Sequence, residues 1–172
     1  GSKRSDVTVE VPVCIDYTLE KDVPYVKVKL KVDNKARDHW FRVNFPSNIE
    51  TDQSIADSHF DIVERPVKIP DSTGWVEEAQ GTHPLRTFVD VNDGNTGLAC
   101  FTKGIFEYEV YDDPERTISL TLIRACRIKL KVSEEKITEL PDEGIQCPGI
   151  QVFEYAICPH SGDHIQANLI SL

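Results

Sequence analysis

HPLRTFVDVNDGNTGLACFTKGIFEYEVYDDPERTISLTLIRACR, residues 83–127, decides the fold class. It reads as four short strands, 88–91, 97–101, 105–110 and 117–124, separated by tight turns. Asn92-Asp93-Gly94-Asn95 and Thr102-Lys103-Gly104 carry residues that accept a left-handed backbone, and Asp112-Asp113-Pro114 breaks the third strand. Phe106, Tyr108 and Val110 fall on one face of that strand, Glu107 and Glu109 on the other. Ile118, Leu120 and Leu122 alternate with Thr117, Ser119 and Thr121 in the fourth. Period-two alternation bounded by turn residues predicts an antiparallel meander with one buried face.

The flanking chain has the same texture. Val7, Val9, Val11 and Val13 alternate and predict a strand over 7–13, with Pro12 near its end, and 14–19 either extend it or bend away. Over 25–32, Val26, Val28, Leu30 and Val32 point one way and Lys27, Lys29 and Lys31 the other; the lysine row reads as a solvated face rather than an anion site. Further strands are expected over 40–45, around Phe60, Ile62 and Val63 before Pro66, and over 150–157, where apolar residues on both faces suit a central strand stopped by Pro159. The basic run 127–132 continues the fourth strand of the meander, and 167–172 reads as part of another. Residues 75–81 read as a short helix or an irregular loop. SEEKITEL, 133–140, is the one helix-like segment, with Ser133 as cap and Glu134 and Glu135 in the first turn. These elements predict an all-β antiparallel sandwich with at most one short helix. Residues 1–6 read as a loose N-terminus opened by the Gly1-Ser2 of a cleaved tag, and 7–172 as a single domain.

Composition narrows the partners. The 172 residues are 40% hydrophobic and 28% charged, with a formal net charge of -10 and a sequence pI near 4.9. Nucleic acid and anionic membranes call for a basic surface, so neither is expected as a partner. No apolar run approaches the roughly 20 residues that span a bilayer. The absence of Met and the Gly-Ser start read as an excised piece of a longer protein. The five cysteines are odd in number and form no C-x-x-C. Cys14, Cys100, Cys126 and Cys158 lie in strand-like text, which predicts buried free thiols and a cytoplasmic address over the rival reading of one or two disulfides.

The quoted stretch, together with DNKARDHWFRVNFPSNI (33–49), ADSHFDIVER (56–65) and CPGIQVFEYAICPHSGDH (147–164), resembles in order the C-terminal β-sandwich of glycoside hydrolase family 38, the retaining α-mannosidases. Trp40 stands where that pattern has a basic residue. The resemblance implies a galactose-mutarotase-like supersandwich. It implies a parent enzyme acting on mannose-containing carbohydrate, with its nucleophile, its acid and a zinc ion all supplied by an N-terminal catalytic domain of the same polypeptide. On that reading the present segment is non-catalytic: it supports the catalytic domain and lends loop residues to the sugar site. Arg116, in the loop with Asp113, is nearest in position to a sandwich-loop arginine that reaches the sugar in some relatives.

The remaining candidates come from residue chemistry. His83, Arg86 and Asp90 form a set able to bind sugar hydroxyls beside Phe88 or Trp75, against the plainer reading of a salt bridge at a strand start. Glu107 and Glu109 read as a solvated face rather than a catalytic pair. His160, Asp163 and His164 invite a metal, but Pro159 and Gly162 preclude the helix that would align them, so His160 reads as a packing residue at a strand end and a lesser candidate for sugar contact. The alternative from another class is a free-standing carbohydrate-binding or mutarotase-like sandwich, with a histidine beside a carboxylate in an open cleft.

Overall fold

The computed structural model describes residues 5–126, 129–133, 136–139 and 144–172. The strands are β1 (Val13–Leu19), β2 (Val26–Asn34), β3 (His39–Phe45), β4 (Gln53–Asp57), β5 (Ile62–Pro66), β6 (Thr82–Pro84), β7 (Phe88–Asn92), β8 (Thr96–Lys103), β9 (Glu107–Val110), β10 (Ile118–Ala125), β11 (Lys129–Ser133), β12 (Lys136–Glu139) and β13 (Gly149–Ser161). Seven of them form one sheet in the order β1-β2-β13-β8-β7-β4-β5, and four form a second in the order β3-β10-β9-β6, with β11-β12 as a separate hairpin. This is the expected all-β sandwich.

Alternation drives the core. Val28, Leu30 and Val32 of β2 are buried while Lys27, Lys29 and Lys31 are exposed. They join Val89, Val91, Cys100, Tyr108, Ile118 and Leu120 between the sheets, where burial of apolar surface is worth about 25 cal/mol per Å². Tyr108 is fully buried, and its hydroxyl meets Ser54 Oγ at 3.2 Å and accepts from Arg65 Nη1 at 3.3 Å, bonding the small sheet to the large one. β13 is central, paired with both β2 and β8. A second cluster, Ile55, Phe88, Ala99, Cys158 and Leu169, lies on the outer face of the large sheet beneath the C-terminal segment.

Several expectations are corrected. The four-strand meander is divided: β7-β8 lies in the large sheet and β9-β10 in the small one. Gly104 (φ 76°) turns the chain out of β8, and Ile105, 2% exposed, carries the link across the core. The register of β10 shifts between Thr121 and Ile123, so Leu122 and Ile123 are both buried and the simple alternation fails there. The first strand begins at Val13, not Val7. The helix expected over 133–140 is replaced, among the described residues, by strands: Ser133 ends β11 and Lys136–Glu139 is β12, with 134–135 and 140 outside the described residues. β10 ends at Ala125, and β11 pairs with β12 rather than continuing it; 127–128 lie outside the described residues.

At the C-terminal end, β13 runs through Pro159 to Ser161. Its pairing with β2 stops at Ile157, so Pro159 stands where the strand has a neighbour on one side only and its missing N–H is tolerated. The C-terminal residues form turns and a 3-10 turn at Leu169–Ser171 instead of a strand, because Leu169 folds back onto the outer cluster. Residues 75–81 are irregular, and β4 and β6 have no counterpart in the expected set. All five thiols are free; Cys100 and Cys158 are buried as expected, whereas Cys14 and Cys126 are exposed.

Candidate functional site

β7, β8 and β13 are adjacent, and their register sets Asn92 opposite Gly97 and Gly97 opposite His160. His160 Nε2 lies 2.9 Å from Asp90 Oδ1, and Asn92 Nδ2 donates to Asp90 Oδ2 at 2.7 Å. The two side chains are 6% and 0% exposed. Gly97 makes the space: a Cβ there would stand 2.1 Å from His160 Cε1. His160 thus meets a carboxylate, as a mutarotase-like site requires, but the pair is sealed within the outer face of the large sheet instead of opening to a cleft. Asp163 Oδ1 accepts from the amides of Ile165 and Gln166 and so shapes a turn. Among the described residues no three His, Cys, Asp or Glu side chains converge to hold a metal.

Asp113 and Arg116 build the turn between β9 and β10. Asp113 accepts from Thr117 N and Oγ1 at 3.1 and 3.0 Å. Arg116, held at φ 45°, pairs with Asp112 and lies 3.7 Å from Asp52, and its carbonyl accepts from Ser47 Oγ. Its side chain is 16% exposed.

Glu107 and Glu109 are not a solvated face. Glu109 Oε2 pairs with Arg42 Nη1 at 2.5 Å, and Glu107 Oε2 with Arg124 Nη1 at 2.7 Å. Arg42 also donates to Tyr111 Oη and Thr121 Oγ1. Its guanidinium lies 3.5 Å over the Trp40 ring, with that of Arg124 at 4.9 Å. Trp40, the departure from the family pattern, is thus a platform for two cations. Sequence reasoning missed Arg42; its signal was the alternation that put it on the same face of β3 as Trp40.

His83, Arg86 and Asp90 do not converge. Asp90 is taken by His160, and Arg86 is exposed with its amide donating to Asp57 O. Phe88, a proposed aromatic wall, is 2% exposed and packs on Phe101. His83 instead stands in β6 with its ring centroid 5.8 Å from that of Tyr108. With Trp75, Arg65, Lys68 and Gln80 it lines a cleft of about 330 Å³, which brings a sequence-predicted polar residue and a predicted aromatic together. Trp75 is 62% exposed there. The cleft offers an indole face beside an imidazole, a guanidinium and an amide, the group types that grip a polyhydroxylated ring.

Burial, and then the charge of Arg65, hold the His83 pKa below its ordinary value, with Glu109 opposing. The imidazole is therefore neutral at pH 7, able to donate from one nitrogen and accept at the other. Because the unfolded chain takes up this proton at about pH 6.5 and the folded chain only at lower pH, stability falls as pH drops through and below that value. His83→Gln is expected to flatten the slope of the urea midpoint between about pH 7 and pH 5 relative to the parent; an unchanged slope assigns it to other groups.

The profile of the "Glycosyl hydrolases family 38 C-terminal domain" matches residues 2–130. A relative from Halalkalibacterium halodurans, provisionally named a mannosylglycerate hydrolase, is 33% identical over 169 residues, which is 98% of this chain and 17% of the relative. An α-mannosidase structure from Enterococcus faecalis V583 superposes with a TM-score of 0.75 at 28% identity, over 90% of this chain and 16% of that one. A family 38 glycosyl hydrolase structure from Enterococcus faecalis gives 0.71 at 26% identity over the same shares. The chain thus spans about a sixth of the length of these proteins. With the profile covering most of the chain, and the two-sheet architecture shared with proteins of that family, the chain belongs to the glycosyl hydrolase family 38 C-terminal domain family.

Proposed function

We propose that this domain is the non-catalytic β-sandwich of a family 38 glycoside hydrolase, supporting a catalytic domain of the same polypeptide that carries the reactive carboxylates and a zinc ion and acts on mannose-containing glycosides. The observation that carries this reading is the state of the strand carboxylates. Retaining hydrolysis needs two carboxyl groups about 5–5.5 Å apart, one of them a proton donor, both facing the sugar. Here Glu109 is bound to Arg42 and Glu107 to Arg124, so each carboxylate is engaged by an arginine of its own sheet instead of facing a sugar. Free thiols support a cytoplasmic address, and among the described residues no helix is long and apolar enough to cross a membrane. Assay of the 172-residue chain and of the full-length polypeptide on an aryl α-mannoside is the test. Cleavage by the longer protein alone is expected, and cleavage by the domain alone overturns the reading.

A contribution to sugar binding is favoured at the Trp75–His83 cleft. Arg116, Asp113, Asp90 and His160 instead act as braces within the fold, and Arg86 as a solvent-facing residue. Quenching or a shift of tryptophan fluorescence on titration with methyl α-mannoside, lost in Trp75→Ala and retained in Trp40→Ala, supports the cleft; a signal insensitive to Trp75→Ala refutes it.

A further inference from the structure

We infer that the inward face of β1 and the open edge of β3 together receive an extended, alternately apolar strand from the remainder of a longer polypeptide, which pairs with β3 and roofs β1. This rests on the reading that the domain is one part of a longer family 38 chain.

The two sheets lie over each other in matching order. Phe45 at the end of β3 contacts the ring of Tyr155 in β13, with centroids 5.7 Å apart. At the other side Tyr108 of β9 reaches Ser54 of β4 and Arg65 of β5. Phe41, Val43 and Phe45 of β3 also share a core with Val28, Leu30 and Val32 of β2, so the small sheet covers the large one from β2 toward β5, and β1 projects past its edge. Val13, Ile15 and Tyr17 stand opposite Val32, Leu30 and Val28. The β2 members of these pairs are 0 to 2% exposed, whereas the β1 members are 44%, 40% and 66% exposed, and Leu19, next in the row, is 75% exposed. Every inward position of β1 is apolar, so the strand is patterned for burial that the described residues do not provide.

The geometry of the gap selects its occupant. Among the described strands β3 pairs only with β10, which leaves one row of its backbone groups open for another strand. A strand added there extends the small sheet outward over β1, and its inward side chains meet the row Val13 to Leu19. A second copy fits less well. Joining two β1 edges would leave both stripes facing open solvent on the same side, and stacking them face to face would bring together two chains of net charge -10. The matched relatives carry more than four-fifths of their length outside the matched region, ample chain to supply the strand.

Hydrogen exchange tests the inference on the β3 amides directed away from β10, compared between the 172-residue chain and the full-length polypeptide. They are expected to exchange freely in the chain alone and roughly tenfold or more slowly in the longer protein. Tyr17→Lys combined with Leu19→Lys is expected to lower the thermal midpoint of the full-length protein and leave that of the domain alone unchanged. Equal exchange in both, or an equal effect of the lysines in both, overturns the inference. So does a dimer of the 172-residue chain that the lysines disperse, since that assigns the stripe to a second copy. Protection of β3 in a full-length protein that cleaves no glycoside would sink the functional reading and leave this one standing; an open β3 edge in an active mannosidase would do the reverse.

Discussion

Tyr108→Ala is expected to destabilise the domain by about 4 kcal/mol, the cost of removing a large aromatic side chain from a packed interior. Tyr108 has no exposed surface and sits where three strands from two sheets meet. Its ring fills the core from β9, and its hydroxyl reaches Ser54 of β4 and Arg65 of β5. The alanine variant loses the ring's contacts, opens a cavity between the sheets and leaves Ser54, 1% exposed, without that partner. Tyr108→Phe separates the terms: it keeps the volume and loses only the hydroxyl bonds, for about 1–2 kcal/mol. Urea denaturation followed by tryptophan fluorescence measures both. If the phenylalanine variant proves as damaging as the alanine one, polar bridging rather than packing holds the sheets together. Because the His83 ring rests against Tyr108 and Arg65 bonds its hydroxyl, the alanine variant should also loosen the Trp75 cleft.

His160→Ala is expected to cost about 3–5 kcal/mol, the range for removing one partner of a buried pair. Asp90 has no exposed side-chain surface, and without His160 its Oδ1 has lost its partner in a place water does not reach. Asp90→Asn in the same background should recover part of the loss, giving a coupling free energy above about 1 kcal/mol in a double-mutant cycle. Gly97 adds a change of sensitivity. Gly97→Ala forces its methyl group into the imidazole of the parent and should be strongly destabilising there. Once the ring is gone the methyl has space, so the same substitution should cost far less in the His160→Ala protein. Additive costs at 97 and 160 would refute the close approach on which this account of the strand triplet depends.

The candidate site was legible in part. His83 and Trp75 could be named as a polar group and an aromatic face, and they do share a cleft. Arg65, which joins them, could not: it ends a strand distant in sequence, and only the packing of β5 against β6 and β9 brings it there. Asp90 and His160 were each candidates, yet nothing local relates residues seventy apart; the registers of β7 with β8 and β8 with β13 do so. Glu107 and Glu109 looked solvated because alternation shows which residues share a face and not what stands opposite. Arg124 comes from the adjacent β10 and Arg42 from β3 beyond it, and they turn the face into a network of ion pairs.

By itself the sequence determined the kind of protein. Strict two-residue alternation in β2, β9 and most of β10, cut by Gly, Pro, Asn and Asp, permits pleated sheets with one buried face, and four ordered motifs carried the family. Those signals are local, because a strand's facing depends on its own side chains and a turn on its own backbone. Tertiary structure alone decided how the strands were shared out: that one apparent meander divides between two sheets, that Ser133 and Lys136–Glu139 lie in paired strands and not a helix, and that β13 continues through Pro159. Each depends on which strand lies alongside, and pairing free energy is gained between residues far apart in the chain, where local propensity carries no information.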